Sequence, residues 1–321
     1  MPIRYTFEPE SGVLLNVREW GPQDADTTVV LSHCWTLSSG HWEDVAELLS
    51  LADQTLRVIA YDHRGHGQSC RLAPTLEELA DDLAELIRRR VPRGQAVLAG
   101  HSMGGMTVIT LAERHSELLR QRVGGVALVA TSAGNVLAPL RHWPGFGLLS
   151  RLLLAVMRRT RIPAPPFTLE QHDGATGWYS ALYDMNRLGH QAAQGYPPAI
   201  ASTASSMLDH DRYSVLPTLN GIPTIVMVGT RDFLTPPGHA RALADGIDVL
   251  IAVLDAFLVG IGDIHHGLVR EELHGTDPRA RLLVALEQPR RLAPVEVLLK
   301  KIEHLEFFLG ILVVGTDLLL H

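Results

Sequence analysis

Cysteine is scarce in this chain. Cys34 and Cys70 are the only two in 321 residues. That excludes a disulfide scaffold and leads us to expect a reducing, cytoplasmic setting. Lysine is nearly missing too, since only Lys300 and Lys301 interrupt an otherwise all-arginine set of 28 basic residues. Acidic residues outnumber them, the net charge is −7, and no basic footprint for nucleic acid is present. The one basic run, Arg88-Arg89-Arg90, closes a helical pattern, where cations complement the helix dipole. Long hydrophobic runs are absent. Residues 249–262, which include Asp255, and residues 307–316 both fall short of the ~18 needed to span a bilayer. The N-terminus has no apolar core of the signal-peptide kind. Histidines are frequent (His33, His41, His63, His66, His101), but none stands in H-x-x-x-H spacing and no C-x-x-C occurs. We therefore expect neither a metal nor a cofactor. No repeat or low-complexity tract appears.

What remains is an ordinary globular composition, 46% hydrophobic and 20% charged. Near-continuous apolar runs of strand length lie at residues 27–32, 56–61, 96–100, 126–131 and 223–229. Such runs suit a parallel sheet covered on both faces. Residues 13–19 fit one member of an N-terminal antiparallel pair. Helical patterns separate the runs. The clearest covers 75–91, where Thr75 and Glu78 form a capping box and Leu76, Leu79, Ala80, Leu83 and Ile87 share a face. This alternation predicts an α/β fold with a doubly wound, mostly parallel sheet. The rhythm breaks over residues 134–216, which are rich in proline and carry an amphipathic stretch at 148–159. The expected organisation is a core built from 1–133 and 217–321, with 134–216 inserted as a helical cap.

The strongest chemical signal is Gly100-His101-Ser102-Met103-Gly104, a G-x-S-x-G pattern between a strand and a helix. A serine on such a turn adopts φ > 0, and the flanking glycines spare it a clash. The helix start beneath supplies free N–H groups for an oxyanion. A serine hydroxyl needs a base, and the base an orienting acid. Asp232 follows the run at 223–229, so it falls at the same strand ends as Ser102, where ligands gather in such sheets.

Four motifs in order then resemble the α/β-hydrolase superfamily, of the esterase, lipase and non-haem-haloperoxidase-like kind. Ser32-His33-Cys34-Trp35 resembles its His-Gly oxyanion loop. Asp62-His63-Arg64-Gly65-His66-Gly67-Gln68-Ser69 is similar to its D-x-R-G-x-G-x-S loop. Residues 100–105 match the nucleophile elbow and 229–236 the acid loop. The resemblance implies Ser102 as nucleophile, Asp232 as acid, and the backbone N–H groups of Trp35 and Met103 as the oxyanion hole. Asp62, Arg64 and His66 are expected to brace their own loop. The chain departs from the family at two places. Cys34 stands where glycine is usual. The histidine region is also longer than the family's, with His265 and His266 arriving 33 and 34 residues after Asp232. The resemblance points to His265 as base, with His266 beside it.

These readings converge on a cofactor-free serine hydrolase acting on carboxylic esters. Its partner is a small-molecule ester. Apolar residues of the insertion (Leu148, Leu149, Leu152, Leu153, Phe167, Trp178, Tyr179) suggest an apolar acyl or alcohol group. Perhydrolysis, thioester or C–C hydrolysis and acyl transfer use a similar site. A non-catalytic binding protein on the same scaffold is the reading from a different class. The apolar tail at 307–320 offers a surface for self-association.

Overall fold

The computed structural model describes residues 1–134, 136, 142, 144–170, 178–229, 232, 234–247, 249 and 251–254. Eight strands form one sheet: β1 (Ile3–Phe7), β2 (Leu15–Trp20), β3 (Thr27–Ser32), β4 (Arg57–Tyr61), β5 (Gln95–His101), β6 (Val123–Val129), β7 (Thr224–Gly229) and β8 (Ile251–Leu254). Their order is β1-β2-β4-β3-β5-β6-β7-β8. β2 runs antiparallel to β1 and to β4, and every other pairing is parallel.

Within the strands the continuous apolar runs alternate between the two faces, and Ala130, past the end of β6, follows Val129 into the same cluster. Val30 of β3, Ile59 of β4, Leu98 of β5 and Leu128 of β6 enter one core cluster. Their neighbours Leu31, Ala60, Ala99 and Val129 enter the cluster on the opposite face. A side-chain period of two feeds both layers at once, which is why these strands carry no polar alternation.

Helices α1 (Glu43–Ala52), α2 (Leu76–Arg90), α3 (Met103–Arg114) and α4 (Ser116–Arg122) lie between the strands. α2 begins as its sequence requires. Glu78 N–H donates to Thr75 Oγ1 at 3.4 Å, and Thr75 N–H donates to Glu78 Oε2 at 2.9 Å. Leu76, Leu79, Ala80, Leu83 and Ile87 are all fully buried.

The sixth strand differs from its sequence expectation. It starts three residues earlier, at Val123, and ends at Val129. Gly124 and Gly125 weaken the strand signal in sequence. In the fold, a Cβ on Gly124 would lie 2.4 Å from Gln95 Oε1. At the far end Ala130 takes φ 43°, which stops the strand.

Between β6 and β7 lie α5 (Phe146–Met157), α6 (Trp178–Ala193) and α7 (Pro197–Leu208). Among the described residues of this stretch the only sheet-like pairing is a single bridge from Gly134 to Asp211. α8 (Pro237–Ile247) follows β7 and returns the chain to β8. Among the described residues, no helix is long and apolar enough to cross a membrane.

Candidate active site

The site gathers at the C-terminal ends of β3, β5, β6 and β7. Ser102 sits between β5 and α3 with φ 51° and ψ −113°. Its backbone is held from three sides. Ser102 N–H donates to Val129 O at 2.9 Å, while its carbonyl accepts from Met106 N–H at 3.1 Å and from Thr131 Oγ1 at 2.7 Å. The glycines around it are sterically required. A Cβ on Gly100 would meet the Gly104 carbonyl at 2.5 Å, and one on Gly104 would meet Ser32 O at 2.2 Å. Among the described residues two other non-glycine residues have positive φ, Thr36 at 67° and Ala130 at 43°. They follow β3 and β6, the strands flanking β5. Backbone strain, worth about 1–3 kcal/mol per residue, is thus concentrated at one edge of the sheet.

Met103 opens α3, so its N–H belongs to the first turn and has no partner within the helix. Its buried side chain packs with Leu76, Leu79 and Met106, and the Trp35 ring packs against the same cluster. Trp35 Nε1–H donates to Ile200 O of α7 at 3.0 Å. The side chains of the two residues expected to supply oxyanion donors therefore meet in one cluster.

The loop before Trp35 is fixed by histidines. His63 N–H donates to His33 Nε2 at 3.0 Å, so Nε2 is an acceptor and the ring proton sits on Nδ1. His33 Nδ1–H in turn donates to Cys34 O at 2.8 Å. Burial holds the His33 pKa below its ordinary value, against the pull of the Asp62 carboxylate.

Asp62 braces its surroundings, as expected. Its carboxylate accepts from Ser39 N–H at 2.6 Å, Gln68 N–H at 2.8 Å and Asn16 Nδ2 at 3.0 Å. Arg64 makes a buried ion pair with Asp82 of α2. His66 Nδ1–H donates locally to Arg64 O at 3.2 Å.

Asp232 lies just past β7. Its Oδ1 accepts from Leu234 N–H at 2.9 Å and Thr235 N–H at 2.8 Å, and its Oδ2 accepts from Thr235 Oγ1 at 2.6 Å. The carboxylate thus orders its own turn, and its charge also acts on two imidazoles. Burial pushes the His101 pKa down to about 4, while Asp232 pulls it upward. His239, at the start of α8, is likewise lowered by burial and raised by Asp232. His239 Nδ1 lies 2.9 Å from Ser132 Oγ, which links the acid loop's helix to the end of β6. His265 and His266 lie outside the described residues.

The apolar residues of α5 behave differently from their sequence expectation. Leu148 is 77% exposed and Leu152 61% exposed, and the helix buries no residue fully. Composition records that a helix is apolar, whereas burial depends on the neighbour it meets. α5 packs on α7 and turns a leucine stripe outward.

Sequence spacing also missed a three-residue grouping. Cys34, His41 and His101, all buried, bring ligand-capable atoms within 4.8 Å of one another. No local motif signals it, because the residues come from three separate segments.

A family model described as alpha/beta hydrolase fold matches residues 27–256. The chain belongs to that family. The chain is similar to a non-heme chloroperoxidase of Burkholderia pyrrocinia, 28% identical over 237 residues, which covers 70% of this chain and 80% of that protein. A bifunctional esterase/perhydrolase of Acinetobacter calcoaceticus is 35% identical over 108 residues, or 33% of this chain and 38% of the relative. Among solved structures, a thermophilic esterase from Thermogutta terrifontis superposes with a TM-score of 0.57 at 24% identity, covering 94% of this chain and 99% of that one. At that identity the likeness speaks for the alpha/beta hydrolase fold alone.

Proposed function

We propose that this alpha/beta hydrolase cleaves carboxylic esters of small molecules through an acyl-enzyme on Ser102. The observation that carries this reading is the Ser102 turn. A strained serine is held at a helix start, with Met103 next in the chain, the Trp35 side chain packed against the Met103 cluster, and Asp232 just past β7.

In this mechanism Ser102 Oγ attacks the ester carbonyl and passes its proton to an imidazole. His265 is our candidate for that base, with His266 as its neighbour. Asp232 orients the ring and stabilises its charged form. The Met103 and Trp35 N–H groups hold the oxyanion, where loss of one donor costs about 2.7–4 kcal/mol of barrier. The imidazolium then protonates the departing alcohol. Water, deprotonated by the same imidazole, attacks the acyl-enzyme. The carboxylic acid leaves and the Ser102 hydroxyl is restored. The core from residues 1–133 and 217–321 carries these groups, and the helical cap from 134–216 covers them.

A second reading is perhydrolysis, in which hydrogen peroxide replaces water as the acyl acceptor and a peracid leaves. The names of the chloroperoxidase and esterase/perhydrolase relatives favour it. The chemistry up to the acyl-enzyme is the same.

The test is intact mass after exposure to a fluorophosphonate, for wild type and Ser102→Ala. One adduct on wild type and none on the variant is expected. A folded wild type that takes no adduct would overturn the catalytic reading in favour of a non-catalytic binding scaffold. Product analysis with an ester, with and without peroxide, separates hydrolysis from perhydrolysis.

A further inference from the structure

We propose that Cys34, His41 and His101 form a binding site for a thiophilic transition-metal cation of the zinc class. The three side chains come from three places that the sheet brings together. Cys34 follows β3, His41 lies in the short 3-10 turn Ser39–Trp42, and His101 ends β5, the strand beside β3. All three are buried, and one ligand-capable atom from each lies within 4.8 Å of the others.

The donor set is one thiol and two imidazoles, a combination that soft and borderline cations select over hard ones. Zinc bonds to nitrogen at about 2.0–2.1 Å and to sulfur at about 2.3 Å, which places tetrahedral donors about 3.3–3.6 Å apart. His41 Nε2 and His101 Nδ1 are already 3.1 Å apart. A single proton joins them in the free protein; when a cation takes its place, the ring that carried it holds it on its other nitrogen, so the pair opens slightly and releases no proton. His101 Nε2 is buried without a hydrogen-bond partner among the described residues, so this imidazole pair is incompletely satisfied.

The protonation states suit the exchange. Both imidazoles are held neutral by burial, His101 with a pKa near 4 and His41 well below its ordinary value. Burial pushes the Cys34 thiol up to about 12. The thiol therefore keeps its proton until a cation displaces it. Binding forms one metal–sulfur and two metal–nitrogen bonds and releases one proton to solvent. Two charges bear on the site. Arg187 acts unfavourably on a cation at His41, and Asp232 acts favourably at His101.

Cys34 and His101 each stand one residue before a proposed functional group, Trp35 and Ser102. A bound cation would couple those two backbones. That consequence rests on the proposed function, but the binding itself does not, so the two are tested separately.

The experiment titrates the full chain with cadmium and reads the ultraviolet sulfur-to-cadmium charge-transfer band. One ion per chain is expected, with one proton released, measured by a pH indicator. Apparent affinity should rise about tenfold per pH unit through the neutral range. The band should vanish in Cys34→Ser, persist in Cys70→Ala, and need at least about tenfold more cadmium in His41→Asn. Cobalt loading of wild type, read by its visible tetrahedral absorption, needs no variant. No band on folded wild type, or a band that survives Cys34→Ser, would overturn the site. Fluorophosphonate labelling of the metal-free protein reports on Ser102 independently, so failure of one reading is distinguishable from failure of the other.

Discussion

His33 fixes the peptide bond that follows Cys34. The His33 Nδ1–H donates to Cys34 O at 2.8 Å, and the other end of that peptide plane is the Trp35 N–H. That imidazole proton, with a longer bond of 3.4 Å from Leu37 N–H to the same carbonyl, sets which way a proposed oxyanion donor points. His63 N–H, donating to His33 Nε2, fixes the tautomer that makes this work. His33→Ala removes the shorter of the two hydrogen bonds that hold the Cys34–Trp35 peptide. Turnover of an activated ester should fall about 10²-fold, the typical effect of losing one oxyanion donor, with KM little changed. It should also strand the buried His63 N–H at a cost of about 1–3 kcal/mol. Steady-state kinetics and denaturant unfolding check both. Unchanged kcat would remove His33 from the positioning machinery.

Asp232→Asn separates charge from shape. Its Oδ1 can still accept from Leu234 and Thr235, so the turn should persist and stability should change little. Turnover should drop by about 10⁴-fold if this residue orients the base. Full activity in Asp232→Asn would leave the residue as a turn former only.

The glycines of the elbow offer a steric test. Gly104→Ala places a Cβ 2.2 Å from Ser32 O, a backbone atom that cannot step aside. Overpacking of this kind costs about 1–3 kcal/mol or more. The variant should unfold at lower denaturant, and its Ser102 should label more slowly with fluorophosphonate.

Buried histidines set the acid limit of the fold. His66 has its pKa pushed down to about 3, and His101 and His210 to about 4, chiefly by burial. The unfolded chain takes up these protons near the ordinary pKa of about 6.5, while the folded chain does not. Stability is therefore complete above about pH 6.5 and falls as the pH drops toward 4. Each such group adds about 1.4 kcal/mol per pH unit to the slope within that window. Urea midpoints measured across the window check the sign, and His210→Gln should flatten the slope. Midpoints independent of pH would refute the argument.

The α5 stripe should tolerate charge. With Leu148 77% exposed and Leu152 61% exposed, Leu148→Glu and Leu152→Glu should each shift stability by no more than about 0.5 kcal/mol. A larger loss in thermal unfolding would mean that the stripe is covered in solution.

By itself the sequence determined the parts whose causes are contiguous. The run at 27–32 is β3 to the residue, because five apolar or β-branched side chains in a row, closed by Ser32, suffice to fill both faces of a strand. The capping box of α2 and the elbow at Ser102 were legible for the same reason. Each is a backbone constraint written within six residues. β6 was read less well, since Gly124 and Gly125 carry no strand signal and the reason for Gly124 lies in Gln95 of the neighbouring strand. The tertiary structure alone decided that His33 would meet the His63 N–H across 30 positions, and that Cys34, His41 and His101 would converge. It also decided that α5 would turn its leucines outward. Distance along the chain says nothing about such pairs. They are set by strand order, which lays β3 between β4 and β5 and so draws three separate loops to one edge of the sheet.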